Sequence, residues 1–364
     1  MFEEEADEPR ARVDPWLRVR SNLRMNKTLA LLFLVLFSAR VGRNSFAQTT
    51  STPETPTAEI VAAAKKFLAS LDDAQRGTVV FNFNNTAQRK RWSNLPTSFV
   101  KRGGLRMGDL TQPQRDAALT VLGAALSPQG YEKVLQIVEG DEILRKSSGE
   151  TLFGRDEYYM SFLGQPSTTE PWMVQFGGHH LGLNITLVGE HGTLAPSHTG
   201  VQPAMYELEG KTVRPLGHET DKAFALVSAL DEAQRNQAIL GFQMRDLVLG
   251  PGRDGQTMQP EGIKGSALTE GQREMLLDLA NEWTGIMHEA VAKAKMDEMK
   301  QHIAETWFAW SGPTEKGRAA YFRIQGPTVI IEYAPQRMGG DPTMHIHTMY
   351  RDPTNEYGAK WWKP

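Results

Sequence analysis

The hexapeptides Leu71-Asp72-Asp73-Ala74-Gln75-Arg76 and Leu230-Asp231-Glu232-Ala233-Gln234-Arg235 are nearly the same phrase. A looser version follows each: Leu110-Thr111-Gln112-Pro113-Gln114-Arg115, and Leu268-Thr269-Glu270-Gly271-Gln272-Arg273. In all four an Asp or Thr stands three residues before a Gln, with a leucine just ahead. This is a helix start: the short side chain caps an N–H of the first turn, the Gln reaches back to the cap, and the leucine packs as a staple. One such phrase is common, but the spacing carries more. The second phrase follows the first by 39 residues in one case and 38 in the other, so the same helix pair recurs about 159 residues later.

Strand text recurs at a similar interval. Ser161-Phe162-Leu163-Gly164 resembles Ala309-Trp310-Ser311-Gly312, and 172–178 resembles 320–326, both at an offset of 148. That offset sets His180 against Thr328 and Asn184 against Glu332; an offset of 149 sets His198-Thr199 against His347-Thr348. Periodicity predicts helices over 57–71, 72–82, 111–126, 128–139, 219–229, 231–241 and 269–303. It predicts strands over 157–163, 171–177, 179–188, 305–311, 319–325, 327–334 and 344–350. Helices in one block and strands in another argue α+β with antiparallel sheet, not a doubly wound α/β fold. The expected architecture is internally duplicated. Two half-domains, 58–205 and 206–364, each run helices first and then sheet, and form one compact domain with the functional centre between two sheets.

Composition excludes several classes. A 364-residue chain with 40% hydrophobic and 23% charged residues can bury a sizeable core and is not wholly disordered. Lys+Arg number 40 against 43 Asp+Glu, so no basic excess points to nucleic acid. With no cysteine there is no disulfide, no thiolate metal ligand and no thiol nucleophile.

The N-terminus reads as an address. After Met25, Lys27 supplies a positive charge, Leu29 to Phe37 is wholly apolar, and Ser45-Phe46-Ala47 puts small residues at −3 and −1 of a cut before Gln48. This is a signal-peptide pattern, with an apolar run too short for a comfortable bilayer span. Arg40 and Arg43 within it are atypical. Residues 1–24 read as an over-extended start, with Met25 the expected initiator, so 1–47 is the signal-peptide region. Thr- and Pro-rich 48–57 reads as a flexible leader. No later segment is long and apolar enough to span a membrane, so the expectation is a secreted or periplasmic protein with no span after cleavage.

Histidine is the best lead to chemistry. Alternation in 179–185 puts His179 with Leu181, Leu183 and Ile185 on an apolar face, and His180 with Gly182 and Asn184 on a small polar one. In 344–351, His345, His347, Met349 and Arg351 share a face. Histidines at i and i+2 of a strand sit roughly 6.5–7 Å apart at Cα, close enough for both rings to reach one ion. A third ligand would come from His180 or His198. Three neutral nitrogens and an open position suit Zn²⁺; Met349 on the same face also admits copper. A cupin-type site is disfavoured, because too little chain follows His347 to supply its further ligands.

Other polar residues add to this reading. Arg351 can clamp an anionic substrate group. Asp352 can orient a histidine or handle protons, and Glu332 can act as general base through metal-bound water. The basic, tryptophan-containing stretch 89–102 offers Trp92 and Arg102 for an anionic or sugar-like ligand, with Asn184 facing the same pocket. Ser98-Phe99-Val100-Lys101 has the S-x-x-K spacing but no companion motif, and no G-x-S-x-G, H-E-x-x-H, Walker A or G-x-G-x-x-G is present.

Four segments together resemble one family: Trp92-Ser93-Asn94-Leu95-Pro96, the run 158–165, the run 175–184 (QFGGHHLGLN) and the run 345–353 (HIHTMYRDP). It is the group of secreted proteins catalogued as domain of unknown function 3500, and the likeness covers most of 60–364. The resemblance implies an exported protein with one domain spanning the mature chain, and no established activity. In the family pattern the residue after Pro196 is usually aromatic and 198–203 includes Gly-Ala-Glu-Pro. This chain has His198-Thr199-Gly200-Val201-Gln202-Pro203, so an acidic ligand is absent here and a role for His198 is weakened.

Three readings remain open on the residues alone. The first is a metal-dependent hydrolase with Zn or Cu on His180, His345 and His347, acting on a small anionic or sugar-like substrate. The second is a non-catalytic small-molecule binding protein using the same pocket, and the third a structural module. The leader has a direct test: N-terminal sequencing of exported protein is expected to begin at Gln48, and a mature chain retaining 29–37 would contradict the export reading.

Overall fold

The computed structural model describes residues 56–362, apart from 339. The signal-peptide region 1–47 and most of the leader 48–57 lie outside the described residues. Its helices in chain order are α1 (Pro56–Ala69), α2 (Asp73–Val79), α3 (Thr86–Arg89), α4 (Gln112–Ala125), α5 (Pro128–Ser148), α6 (Gly217–Ala229), α7 (Glu232–Ala238), α8 (Glu270–Thr284) and α9 (Glu289–Gln301).

The repeated phrase begins α2, α4, α7 and α8, and each has a capping box, on Asp72, Thr111, Asp231 and Thr269. The Gln does a second job. Gln114 Nε2 donates to Gln75 Oε1 at 2.8 Å, and Gln234 and Gln272 exchange bonds of 2.9 and 2.8 Å, so each pair of caps is tied together. The arginine has a matching role in three phrases: Arg76, Arg115 and Arg235 each donate to the carbonyl of the phrase's leucine.

One continuous helix was expected over 269–303, but two form. Gly285 ends α8, and the next residues are drawn out to pair with the chain between α4 and α5. Ser127 N–H donates to Ile286 O at 3.0 Å and His288 N–H to Ala125 O at 3.1 Å. His288 then caps α9. The apolar period does not mark this break: Trp283, Ile286 and Met287 are buried on either side of Gly285, in helix and in extended chain alike.

The strands are β1 (Val80–Phe81), β2 (Leu105–Arg106), β3 (Tyr159–Leu163), β4 (Trp172–Gly177), β5 (Leu181–Val188), β6 (His191–Thr193), β7 (Ser197–Val201), β8 (Tyr206–Leu208), β9 (Lys211–Val213), β10 (Ile263–Lys264), β11 (Trp307–Ser311), β12 (Tyr321–Gly326), β13 (Val329–Pro335) and β14 (Ile346–Arg351). Twelve of them, all but the β8–β9 hairpin, make one sheet ordered β1-β3-β4-β5-β7-β14-β13-β12-β11-β10, with β2 also on β3 and β6 on β5. The fold is α+β. The sheet is mixed, because β1 runs parallel to β3 at one edge while the other pairings are antiparallel.

The two separate sheets expected from the half-domains do not exist. β7 and β14 pair across the middle, with Thr199 opposite Thr348 and His198 opposite Met349, so the strand that would end one sheet satisfies the edge of the other. The place expected between two sheets is therefore one face of a single sheet.

The two faces differ in chemistry. One carries an apolar row across β11, β12 and β13 (Trp310, Phe322, Tyr333), and here the helices pack. Phe224 of α6 meets Trp310 edge-on at 5.0 Å, and Trp283 of α8 meets Phe322 at 6.1 Å. The other face carries buried polar groups, among them Ser161, Gln175, Asn184, His198, Glu332 and Arg323. It is closed by loops whose side chains satisfy that layer: Gln88 Nε2 donates to Gln175 Oε1 at 2.9 Å, and Gln175 Nε2 to Asn184 Oδ1 at 2.8 Å.

On the helix face, at the central pairing, Thr348 Oγ1 accepts from Trp283 Nε1 at 2.9 Å and shares a bond of 2.7 Å with Thr199 Oγ1. Thr348→Val keeps the shape and strands both partners. It is expected to lose about 1–3 kcal/mol in urea denaturation, and adding Thr199→Val should cost less than the sum of the single changes. An unchanged midpoint would contradict the pairing.

Candidate metal centre

Three imidazoles from distant parts of the chain meet at the β7–β14 junction. His180 Nε2 lies 3.1 Å from His345 Nε2, which lies 3.1 Å from His347 Nε2. Ring centroids are 5.1 Å apart for His180 and His345, 4.8 Å for His345 and His347, and 5.5 Å for His180 and His347. Three nitrogens on one tetrahedral ion at about 2.0–2.1 Å stand roughly 3.3 Å apart. Among the described residues two buried groups have ligand atoms close enough to hold a metal ion: His180, His345 and His347, and Asp141, His179 and His180.

His180 reaches this place by an unusual backbone. β5 begins only at Leu181, and His180 has φ of 39°, in the left-handed region. Leu181 N–H bonds back to His179 O, and Gly200 N–H of β7 donates to His180 O at 2.6 Å. A non-glycine residue held in this region is strained, and such strain collects at functional sites. The face assignment for 179 and 180 fails here, since strand alternation does not extend into a tight turn. Both rings turn toward Asp141 and lie against one another, tilted by 36° with centroids 3.6 Å apart.

Each of the three imidazoles has a partner behind it. His180 Nδ1 donates to Asp141 Oδ1 at 2.7 Å, and Tyr158 OH donates to Asp141 Oδ2 at 2.8 Å. His345 Nδ1 donates to the Met338 carbonyl at 2.7 Å, and His347 Nδ1 lies 3.1 Å from the Asn94 amide. A carboxylate or carbonyl on the far nitrogen fixes tautomer and ring orientation in metal sites. Burial pushes His180 down to about 3, although Asp141 pulls the other way. Burial also lowers His345, and burial with the neighbouring His198 lowers His347 well below the ordinary range. The rings are therefore neutral, the form that binds metal. Burial works to raise Asp141, yet the two imidazoles beside it hold its carboxyl below the usual carboxylate range.

Sequence reasoning missed Asp141, because the helix expected to stop at 139 continues to Ser148. The signal was an acidic residue within an apolar stretch of that helix. His179, placed by alternation on the apolar face, has its Nδ1 3.3 Å from Asp141 Oδ1. His198 is fully buried with its ring 5.2 Å from His347, and neither of its nitrogens has a hydrogen-bond partner. Burial pushes His198 down to about 3. The nitrogens that converge with the C-terminal pair are those of His180.

The remaining expected site residues do other work. Glu332, expected to act on metal-bound water, spends both oxygens elsewhere: Val248 N–H at 2.8 Å, Leu249 N–H at 2.7 Å and Tyr321 OH at 2.7 Å. Arg351, expected to clamp an anion, holds Leu249 O at 2.7 Å, Gly250 O at 2.9 Å and the carboxylate of Glu356. Asp352 pairs with Lys295 at 2.6 Å and accepts from Thr354, beside a cleft of about 330 Å³ lined also by His191 and Trp361. Asn184 donates to Pro196 O at 2.8 Å. Trp92 covers Gly182, where a Cβ would lie 2.8 Å from its ring, and donates to Tyr357 OH at 3.0 Å. Arg102 donates to Ser93 O, Leu95 O and Gly178 O at 2.7, 2.6 and 2.7 Å. These groups fasten the loops over the polar face, and their hydrogen bonds do not involve the three converging nitrogens.

A family model for a protein of unknown function (DUF3500) matches residues 53–359. The chain belongs to that family. All the converging histidines and their partners fall within the matched span. No curated protein and no solved structure matches the chain.

The neutral imidazoles carry a pH signature. Unfolded histidines take up a proton near pH 6.5, whereas folded His180 and His198 do so near 3. Between those values the unfolded chain binds more protons, so stability falls as pH falls. In chelator-treated protein the contribution should be complete above about pH 6.5 and be lost progressively toward about pH 3. A urea midpoint that stays constant through that window would refute neutral burial.

Proposed function

We propose that this protein is a metal-dependent hydrolase whose ion sits on His180, His345 and His347. The observation that carries the reading is the tautomers. With Nδ1–H of His180 committed to Asp141 and Nδ1–H of His345 committed to Met338 O, each neutral ring has a bare lone pair on Nε2. Those two lone pairs face one another at 3.1 Å. Only a cation between them relieves that arrangement, and burial disfavours a proton. At His347 the amide nitrogen of Asn94 stands 3.1 Å from Nδ1, so this ring joins the ion once the amide turns to put its oxygen there.

Three neutral nitrogens leave a tetrahedral ion one open position, and Zn²⁺ or a copper ion fits the donor set. When bound, zinc lowers the pKa of its water to about 7 and so supplies a nucleophile. The chain's own part is to keep the rings neutral, aimed and dry. With Arg351 and Arg102 engaged by carbonyls, the support for an anionic substrate is lost. Export, with cleavage after Ala47, remains part of the proposal.

We also infer that the two halves arose from one duplicated unit. The paired glutamine caps support it. So do Gly104 and Gly262, with φ of 98° and 97°, where a Cβ would meet Met160 O at 2.1 Å or Phe308 O at 2.2 Å.

Metal analysis of untagged protein is expected to find about one equivalent of a transition metal per chain. His345→Ala and His347→Ala should abolish binding, and Asp141→Asn should weaken it about 10–100-fold while leaving the rings in place. Protein that purifies empty, and whose melting temperature ignores added Zn²⁺ and Cu²⁺, would end the reading. Metal bound without turnover of any ester, amide or phosphate would leave a metal-holding protein instead.

A further inference from the structure

We infer that the loop running from Lys90 to Lys101 docks the protein on an anionic phospholipid surface, with Leu95 and Phe99 entering the interface and Lys90, Arg91 and Lys101 facing the phosphates. The docking does not depend on the metal centre. Between Asp73 and Asp109 the chain has no acidic residue, although overall it holds more acid than base. The cations of that stretch divide by what they touch. Arg76 pairs with Asp73, Arg106 with Asp109 and Glu157, Arg89 lies over aromatic rings, and Arg102 is spent on carbonyls. Lys90, Arg91 and Lys101 are exposed and enter no ion pair among the described residues.

The other residues of the loop fasten it from within. Trp92 Nε1 donates to Tyr357 OH at 3.0 Å, Thr97 Oγ1 donates to Glu157 Oε2 at 2.8 Å, and Arg102 draws in Ser93 O and Leu95 O at 2.7 and 2.6 Å. The N–H groups of Phe99 and Val100 both bond Pro96 O, at 3.0 and 3.1 Å, which closes the turn. Held this way, the loop leaves Leu95 47% and Phe99 74% exposed. Single exposed apolar residues are ordinary on any surface. Met205, Ile239, Phe242, Val248 and Met338 are exposed too, but each has an acid in its own stretch: Glu207 near Met205, Asp246 in the loop of Ile239, Phe242 and Val248, and Asp341 after Met338. Those acids would meet like charge at an anionic bilayer. Apolar side chains flanked by lysine and arginine, with no acid among them, suit the headgroup boundary: the apolar groups leave water and the cations gain the negative surface potential. The three cations are pinned by no side-chain hydrogen bond among the described residues, which suits a diffuse negative surface better than carboxylates at fixed places.

The chain has no cysteine, so Ser98→Cys, at an exposed position beside Phe99, takes a single environment-sensitive fluorophore. The labelled full chain is titrated with vesicles of phosphatidylcholine alone and of phosphatidylcholine mixed with phosphatidylglycerol. Emission is expected to shift to the blue on the mixed vesicles only, and to return in about 1 M salt, where charges are screened beyond ~3 Å. Replacing Lys90, Arg91 and Lys101 together by Ala should weaken this binding on the order of 100-fold, at about fivefold for each cation. Leu95→Ser and Phe99→Ser together should abolish the shift while the melting temperature stays as in the parent. No shift on the mixed vesicles, or the same shift on both kinds, would overturn the inference, even where the protein sediments with vesicles through another part of the chain. A shift with soluble polyglutamate and none with vesicles would assign the loop to an acidic protein and overturn docking on lipid. So would a dimer that Leu95→Ser and Phe99→Ser dissolve, seen by light scattering, with no shift on vesicles; that result would assign the loop to self-association.

Discussion

The antiparallel pairing of Ser197–Val201 with Ile346–Arg351 is the constraint on which the rest depends. It joins two strand systems that would each expose an unpaired edge. It also sets Gly200 opposite His347, and the next bond in the same line, Gly200 N–H to His180 O, draws in the turn after β4. A Cβ at Gly200 would lie 3.0 Å from His347 Cδ2 and 3.1 Å from His198 Nε2, so a side chain there would press on both rings. The convergence of residues 165 apart in sequence is thus a consequence of sheet closure, with no dedicated loop required.

Around the rings the protein has replaced water with fixed partners. Asp141 is fastened by Tyr158, and His345 by the Met338 carbonyl. Burial strips the imidazoles of protons, and the same burial would make unpaired nitrogens costly. Two neutral imidazoles that turn lone pairs toward one another repel unless a cation lies between them. That physical tension, more than the count of histidines, gives the centre its meaning.

The polar layer explains why so many residues looked chemical in the sequence. One face of the sheet is covered by loops and the single-turn α3 instead of long helices, and such chain needs anchors. Glu332 takes two backbone N–H groups, Arg351 two carbonyls, Arg102 four, and Asn184 one. Buried polar side chains call for partners, and for these four the covering chain supplies them. The histidines stand apart because their Nε2 atoms meet one another and nothing else that is polar.

Local chemistry was legible without coordinates. The capping boxes at Asp72, Thr111, Asp231 and Thr269, the α+β order and the His345/His347 pair all follow from short-range rules, since a cap or a strand face depends on neighbours a few residues away. The junction strand β7 was not legible: five residues ending before a Gln-Pro, with a glycine inside, look like loop until a partner supplies the hydrogen bonds. Nor was Asp141, which matters only because a helix passes behind a turn that lies 39 residues on. Whether an arginine or glutamate faces a ligand or a carbonyl is decided by what packs above it, and only the tertiary structure brings that partner into contact.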